Sequence, residues 1–149
     1  MSHFTTIKTQ FKDRKCLIAA LKKFFREVEY QQIPQNLIGY KGDVRSQTAS
    51  IIIRRKFVGQ ASNDIGFQYD PVEKSYQAII SEYDRNYQKY NEQWLNQLKV
   101  EYSQQVIEKE AQKMGAEVEK TRMSDGSIQY QIKGKANQIK KLSQRQKIK

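Results

Sequence analysis

The run Ala49-Ser50-Ile51-Ile52-Ile53-Arg54-Arg55-Lys56, followed by Ile65-Gly66-Phe67-Gln68-Tyr69-Asp70-Pro71 and Tyr76-Gln77-Ala78-Ile79-Ile80, decides the fold. β-Branched residues dominate the first segment, and such side chains fit a pleated, half-buried surface. The second alternates apolar and polar residues until Asp70-Pro71, a turn signal. The third resumes the strand pattern. Connections this short suit antiparallel neighbours, because a parallel return needs a crossover of a dozen residues or more. The stretch from Leu37 to Ser81 therefore reads as an antiparallel meander, with Leu37-Ile38-Gly39-Tyr40 as a further short strand and 59–63 as a loop.

Outward from this centre the period changes. Residues 2–12 carry Phe4, Ile7 and Phe11 among threonines and read as a strand. Asp13 offers a helix N-cap. Leu17, Leu21, Phe24 and Val28 then recur at helical spacing, predicting a helix over 14–28 that ends before Gln31-Gln32 and Pro34. A second helix is predicted over 84–114, capped by Asp84 and stopped by Gly115. Along it Tyr87, Asn91, Trp94, Leu95, Leu98, Tyr102 and Val106 share one side. Ser124-Asp125-Gly126 separates two alternating runs, 116–122 and 127–132, and marks a hairpin. Strand, helix, several strands, helix and hairpin give an α+β class: a mainly antiparallel sheet with two helices packed on one face.

Charge divides the chain. The net charge is +11, from 27 Lys and Arg against 16 Asp and Glu. Residues 133–149 hold seven of those cations (Lys133, Lys135, Lys140, Lys141, Arg145, Lys147 and Lys149) and no acid, which leaves the rest at only +4. The reading is a single α+β domain over 1–134 and a basic tail over 135–149, either flexible or a short helix. A tail of this composition suits nucleic acid or an acidic partner.

Cys16 is the one cysteine, so no internal disulfide forms. No apolar run approaches the ~18 residues that span a bilayer. The start shows no secretory signal and no Ser/Arg-rich leader.

Three groups of matching residues resemble a known family. They are the opening Met1-Ser2-His3-Phe4-Thr5-Thr6-Ile7-Lys8-Thr9-Gln10, the segment Asp64-Ile65-Gly66-Phe67, and Met114-Gly115 with Ser124-Asp125-Gly126-Ser127-Ile128. Over roughly residues 1–134 the chain is similar to the uncharacterised hypothetical chloroplast reading frame family, the thirty-fifth of that series. The resemblance implies residence in the plastid stroma or the cyanobacterial cytoplasm and a link to photosynthetic upkeep. It transfers no catalytic residue.

The chemistry in the sequence is sparse. His3 is the only histidine and lies far from Cys16, whereas metal sites cluster such ligands. Cys16 near a helix start favours a thiolate but has no motif around it. No Walker loop and no Gly-x-Gly-x-x-Gly run occurs. Arg54, Arg55 and Lys56, near Phe57, Tyr69 and Tyr76, suggest a basic-aromatic face, but strand alternation would split the three cations between faces. Tyr87 and Tyr90 on the long helix suit a partner anchor if both are exposed. The sequence thus favours a non-enzymatic accessory protein that binds a macromolecule, with an unknown protein or RNA partner, no cofactor, no metal and no small-molecule substrate. A nucleic-acid binder led by the tail and a small metal-independent enzyme are the alternatives.

Overall fold

The structure is a computed structural model that describes residues 3–133. The chain divides into two compact units, Met1–Lys99 and Val100–Lys149. The six cations Lys135, Lys140, Lys141, Arg145, Lys147 and Lys149 lie outside the described residues, as does the proposed tail.

The first unit is built on a five-stranded sheet. Its strands are β1 (Phe4–Phe11), β2 (Glu29–Ile38), β3 (Val44–Ile53), β4 (Ile65–Asp70) and β5 (Ser75–Ser81). They lie in the order β1-β5-β4-β3-β2, and every pairing is antiparallel. The predicted meander is present, and the first strand joins it on the β5 side. The register Ile51↔Phe67↔Ala78 puts these residues on one face. Ile52↔Gly66↔Ile79 form the next row, on the other face, where Leu37, Ala49, Ile52 and Ile79 cluster with Phe4 against them. Both faces are therefore occupied at the centre, and β5 is buried along its whole length.

Gly66 makes that second cluster fit. A Cβ there would stand 2.7 Å from Ala49 Cβ and 3.0 Å from Leu37 Cδ2, so the β2–β3 arm closes down on β4 only because the position is bare. At the other edge, β1 breaks register between Ile7 and Phe11. The Gln77 side chain fills the gap: its Oε1 accepts from Thr9 N at 2.7 Å. Ser75 Oγ donates to Thr9 O at 3.1 Å.

The helices depart from the sequence reading, and four are present among the described residues. α1 (Arg14–Leu21) has the expected cap, with Asp13 Oδ1 accepting from Cys16 N at 2.9 Å. It stops seven residues short of the predicted end at 28, because the chain beyond Arg26 is drawn into β2, where Glu29 and Tyr30 pair with Ile52 and Ile51. Pro34, expected to end a helix, sits inside this edge strand within a register shift between Tyr30 and Gln35. An edge strand tolerates proline because it needs no ladder donor on its open side. β3 begins at Val44 and ends at Ile53. Arg55–Val58, whose first two residues were expected to continue the strand, is one helical turn, α2.

The predicted helix over 84–114 is two helices. α3 (Glu82–Asn86) is capped by Ser81, whose Oγ accepts from Asp84 N at 3.1 Å, so Asp84 lies inside the turn and does not start it. α4 (Glu92–Lys113) begins after Asn91, whose Oδ1 accepts from Trp94 N at 3.1 Å. Two strong caps ten residues apart, and a Tyr90 ring turned inward, divide what apolar spacing alone joined. Phe24, Phe25, Tyr90 and Trp94 form an aromatic cluster with ring centroids 5.1–5.7 Å apart.

In the second unit, α4 ends as predicted. Gly115 takes φ +67°, Ala116 N donates to Ala111 O at 2.8 Å, and Gly115 N donates to Gln112 O at 3.2 Å. These two bonds are the paired closures of a Schellman cap. β6 (Glu117–Arg122) and β7 (Ile128–Lys133) form the predicted antiparallel hairpin. Its loop holds Gly126 at φ +90°, and Asp125 Oδ1 accepts from both Ser127 N (2.9 Å) and Ser127 Oγ (2.6 Å). Those bonds hold the Asp125 carboxyl below its usual range. Burial, followed by the nearby Glu101 and Glu108, pushes the Tyr130 phenol up.

Candidate functional site: a cationic groove at the β3–β4 connection

Residues 54–64 link β3 to β4 and are fixed by side chains that the loop itself supplies. Asp64 is fully buried, and its carboxylate accepts three hydrogen bonds: from Ile38 N (2.7 Å), from Arg55 N (2.7 Å) and from Arg54 Nη1 (2.9 Å). One residue thereby ties the end of β2, the start of α2 and the start of β4 together. Arg54 uses the rest of its fork on Glu29, with Nε to Oε1 at 3.1 Å and Nη2 to Oε2 at 2.7 Å. A guanidinium matches a carboxylate bidentately, and such pairs are among the strong hydrogen bonds. The Arg54 hydrogen bond holds the Glu29 carboxyl below its usual range, and the Glu29 bond raises Arg54.

Asn63 repeats the device on the other side. Its Oδ1 accepts from Tyr40 N at 2.9 Å, and its Nδ2 donates to Ser81 Oγ at 2.9 Å. Asp84 Oδ2 accepts from Asn63 N at 3.1 Å and from Ser81 Oγ at 2.7 Å. Tyr90 Oη donates to Val58 O at 2.8 Å. Burial, then the Asp84 charge, raises the Tyr90 phenol. The connection also holds Ala61 at φ +58°, a left-handed conformation that a β-carbon disfavours and the surrounding bonds enforce.

Two cavities open beside this framework and share Arg54. One, of about 440 Å³, is lined by Lys22, Arg26, Glu27, Glu29 and Arg54 with Val28, Ile52 and Phe57. The other, of about 360 Å³, is lined by Arg54, Arg55, Lys56 and Asp64 with Ile38, Gly59 and Ser62. Arg54 is committed to its two carboxylates. Lys22, Arg26 and Lys56 are exposed, and among the described residues none of the three forms an ion pair. Arg55 donates Nη1 to Tyr40 O at 2.7 Å and so keeps its charge uncompensated. Exposed cationic side chains thus stand around a fixed Arg54, an arrangement that attracts anions.

The residues singled out from sequence fall in different places. Arg54, Arg55 and Lys56 do not alternate on a strand: Arg54 caps α2 and the other two belong to its turn, so backbone alternation does not separate them. Cys16 is buried, and His3 is exposed. Tyr87 is 79% exposed, whereas Tyr90 is 4% exposed with its hydroxyl committed, so the joint exposure on which the pair was conditional holds for Tyr87 alone. Lys133 is exposed and pairs with Glu119 at 2.6 Å, which raises its ammonium. Lys22, Arg26, Glu29, Asn63, Asp64 and Asp84 were not anticipated as site or framework residues. The available signal was Ser62-Asn63-Asp64, a polar run placed directly before a buried strand, where unpaired polar groups would be costly.

Among the described residues, no group of three or more His, Cys, Asp and Glu could hold a metal ion, and no helix is long and apolar enough to cross a membrane.

These features define an α+β protein with an antiparallel five-stranded sheet and a cationic groove at one strand connection. Residues 20–130 match DUF1257, described as a protein of unknown function, and the chain belongs to that family. The match begins after the opening decapeptide and takes in the whole groove framework. No curated protein and no solved structure matches the chain.

Proposed function

We propose that this protein is a non-enzymatic accessory factor that holds a polyanionic macromolecule in the groove around Arg54. The observation that carries the reading is the pairing of a fixed framework with unneutralised cations: Asp64 and Glu29 immobilise Arg54, while Lys22, Arg26, Arg55 and Lys56 stand around it without carboxylate partners among the described residues. The resemblance to the chloroplast reading frame family supports residence in the plastid stroma or the cyanobacterial cytoplasm and a part in photosynthetic upkeep. The basic residues from Lys135 to Lys149 add further phosphate- or carboxylate-binding charge. Exposed Tyr87 supplies an aromatic contact for a partner.

The test is a salt titration of labelled heparin oligosaccharide binding, comparing the full chain, a chain ended after Gly134, and the full chain carrying Lys22→Gln, Arg26→Gln and Lys56→Gln together. Binding by the triple variant is expected to fall about tenfold or more at low salt, with a shallower salt dependence. Equal binding by the triple variant and the parent would remove the groove from the reading. The truncated chain reports how much those residues add.

A further inference from the structure

The smaller cavity contains a polar group that the framework leaves unused. Ser62 lines it and is 1% exposed, and its Oγ has no hydrogen-bond partner among the described residues. A buried hydroxyl in that state forgoes the hydrogen bonds it had in water. Its neighbours Asn63 and Asp64 are committed, Asn63 to Tyr40 and Ser81 and Asp64 to three donors. The turn over 59–62 decides where the hydroxyl lies. Ser62 N donates to Gly59 O at 3.3 Å, and a Cβ on Gly59 would stand 3.0 Å from Ser62 Oγ. The hydroxyl therefore lies against the bare flank of Gly59, which lines the same cavity. Arg54, Arg55, Lys56 and Asp64 complete the polar lining, three cations against one carboxylate, a surplus of +2. Arg54 and Asp64 are bonded to each other at 2.9 Å, so the surplus belongs to Arg55 and Lys56. Arg55 uses Nη1 on Tyr40 O and keeps the rest of its fork. Lys56 Nζ rests 4.9 Å from the Phe57 ring centroid, on a flexible stem with rotatable donors.

We infer that this cavity binds a dianionic phosphate group, free or as a small monoester, with Ser62 Oγ donating to it and Arg55 and Lys56 balancing its charge. At pH 7 a phosphate monoester carries about −1.5 to −2 charge and three strong acceptor oxygens. Those features match two cations and an idle hydroxyl donor. A carboxylate or a phosphodiester brings a single negative charge and leaves one cation uncompensated. A cationic ligand is repelled by the surplus. The volume of about 360 Å³ falls within the range of small-molecule pockets, roughly 300–1,000 Å³. The site needs neither Lys22 nor Arg26, so it goes beyond the macromolecular reading and does not depend on it.

The experiment follows the backbone amides of the isotope-labelled full chain by NMR during titration with inorganic phosphate, methyl phosphate, dimethyl phosphate and acetate at matched ionic strength. Inorganic phosphate and methyl phosphate are expected to bind about tenfold tighter than dimethyl phosphate and acetate. The tighter of the first two tells free phosphate from ester. The largest shifts should fall on the amides of Arg55, Lys56, Gly59 and Ser62. Ser62→Ala removes a hydrogen bond to a charged acceptor and should weaken phosphate binding about tenfold. The urea midpoint of the unliganded variant should stay level or rise, because the lost hydroxyl had no partner. Lys56→Gln alters an exposed side chain without an ion pair, so folding is spared, and it should remove most of the preference for methyl over dimethyl phosphate. Equal binding of all four anions, no binding of any, or shifts centred on Lys22 and Arg26 would overturn the site. A Ser62→Ala chain that is less stable yet binds phosphate unchanged would also overturn it, since the hydroxyl would then be structural. Heparin binding without phosphate binding sinks this site and leaves the macromolecular reading standing. Phosphate binding without heparin binding does the reverse.

Discussion

Replacing Asp64 by asparagine tests whether one buried carboxylate holds the β3–β4 connection in place. In the native chain its two oxygens serve three donors: Oδ2 takes Ile38 N and Arg54 Nη1, and Oδ1 takes Arg55 N. An amide of the same shape has one acceptor and one donor. Whichever way it turns, an N–H is set against an N–H, and a buried backbone donor left unpaired costs about 1–3 kcal/mol. The charge-assisted bond to Arg54 weakens as well, by about 1 kcal/mol, because hydrogen bonds to a charged acceptor exceed neutral ones by roughly that amount. Arg54 keeps Glu29, so the full penalty of an orphaned buried charge is not incurred. The sum is about 2–4 kcal/mol. The assay is urea unfolding followed by the fluorescence of Trp94, the only tryptophan, which is 3% exposed. With a slope of about 2 kcal/mol/M, the midpoint should fall by about 1–2 M at unchanged slope. Arg54→Met keeps the stem packing but leaves the buried Asp64 carboxylate without its cation, so it should cost at least as much as Asp64→Asn, about 3–5 kcal/mol. The double variant should show a coupling of about 1 kcal/mol or more. A loss below about 0.5 kcal/mol for Asp64→Asn, or strict additivity with Arg54→Met, would refute the argument that this residue is the clasp.

Other outcomes follow from the same structure. Gly66→Ala should lower the global urea midpoint by an overpacking cost of about 1–3 kcal/mol, because the new methyl meets Ala49 and Leu37. Gly126→Ala meets nothing within 4 Å and should instead strain only the φ +90° turn, lowering amide-exchange protection in β6 and β7 without moving the Trp94 transition. Glu29 has a folded pKa below its ordinary 4.5, so its contribution is present above that value and is lost as pH falls through the lower folded one. Acid titration of stability should therefore be less steep below pH 4.5 in Glu29→Gln, and an unchanged acid limb would contradict the pairing with Arg54. Tyr90→Phe removes the donor to Val58 O and should cost about 1–2 kcal/mol in the same urea assay, while its spectroscopic titration should lose a phenol that ionises above the usual range.

Elements held by near neighbours could be read from the chain alone. Ile51-Ile52-Ile53 marks a strand in any context, Asp13 caps three residues ahead of itself, and Gly115 supplies a left-handed stop next to the helix it ends. Elements set by distant partners could not. Residues 22–28 continue the helical pattern, yet the pairing of Glu29 and Tyr30 with Ile52 and Ile51 draws the chain into β2 and overrides that weaker preference. The split between α3 and α4 depends on Tyr90 reaching Val58, 32 positions away. Of the candidate site, the Arg54-Arg55-Lys56 run was visible as a cluster, but its geometry was misassigned, because extending β3 by three residues forces an alternation that α2 abolishes. Asn63 reads as loop polarity and Asp64 as no more than a flanking residue, since their partners lie 9–26 residues away in sequence.

The seating of β1 beside β5 sets an order on synthesis. Thr9 and the Gln77 amide that bonds it are 68 positions apart. At ~5–20 residues per second the ribosome needs roughly 3–14 s to deliver the partner after the first strand has been made. β2, β3 and β4 can pair as adjacent hairpins in that interval, but β1 remains an unfilled template until β5 emerges. Any amphipathic strand that arrives before the amino-terminal segment docks competes for the same row of hydrogen bonds, so crowding of nascent copies favours exchange of β1 between chains.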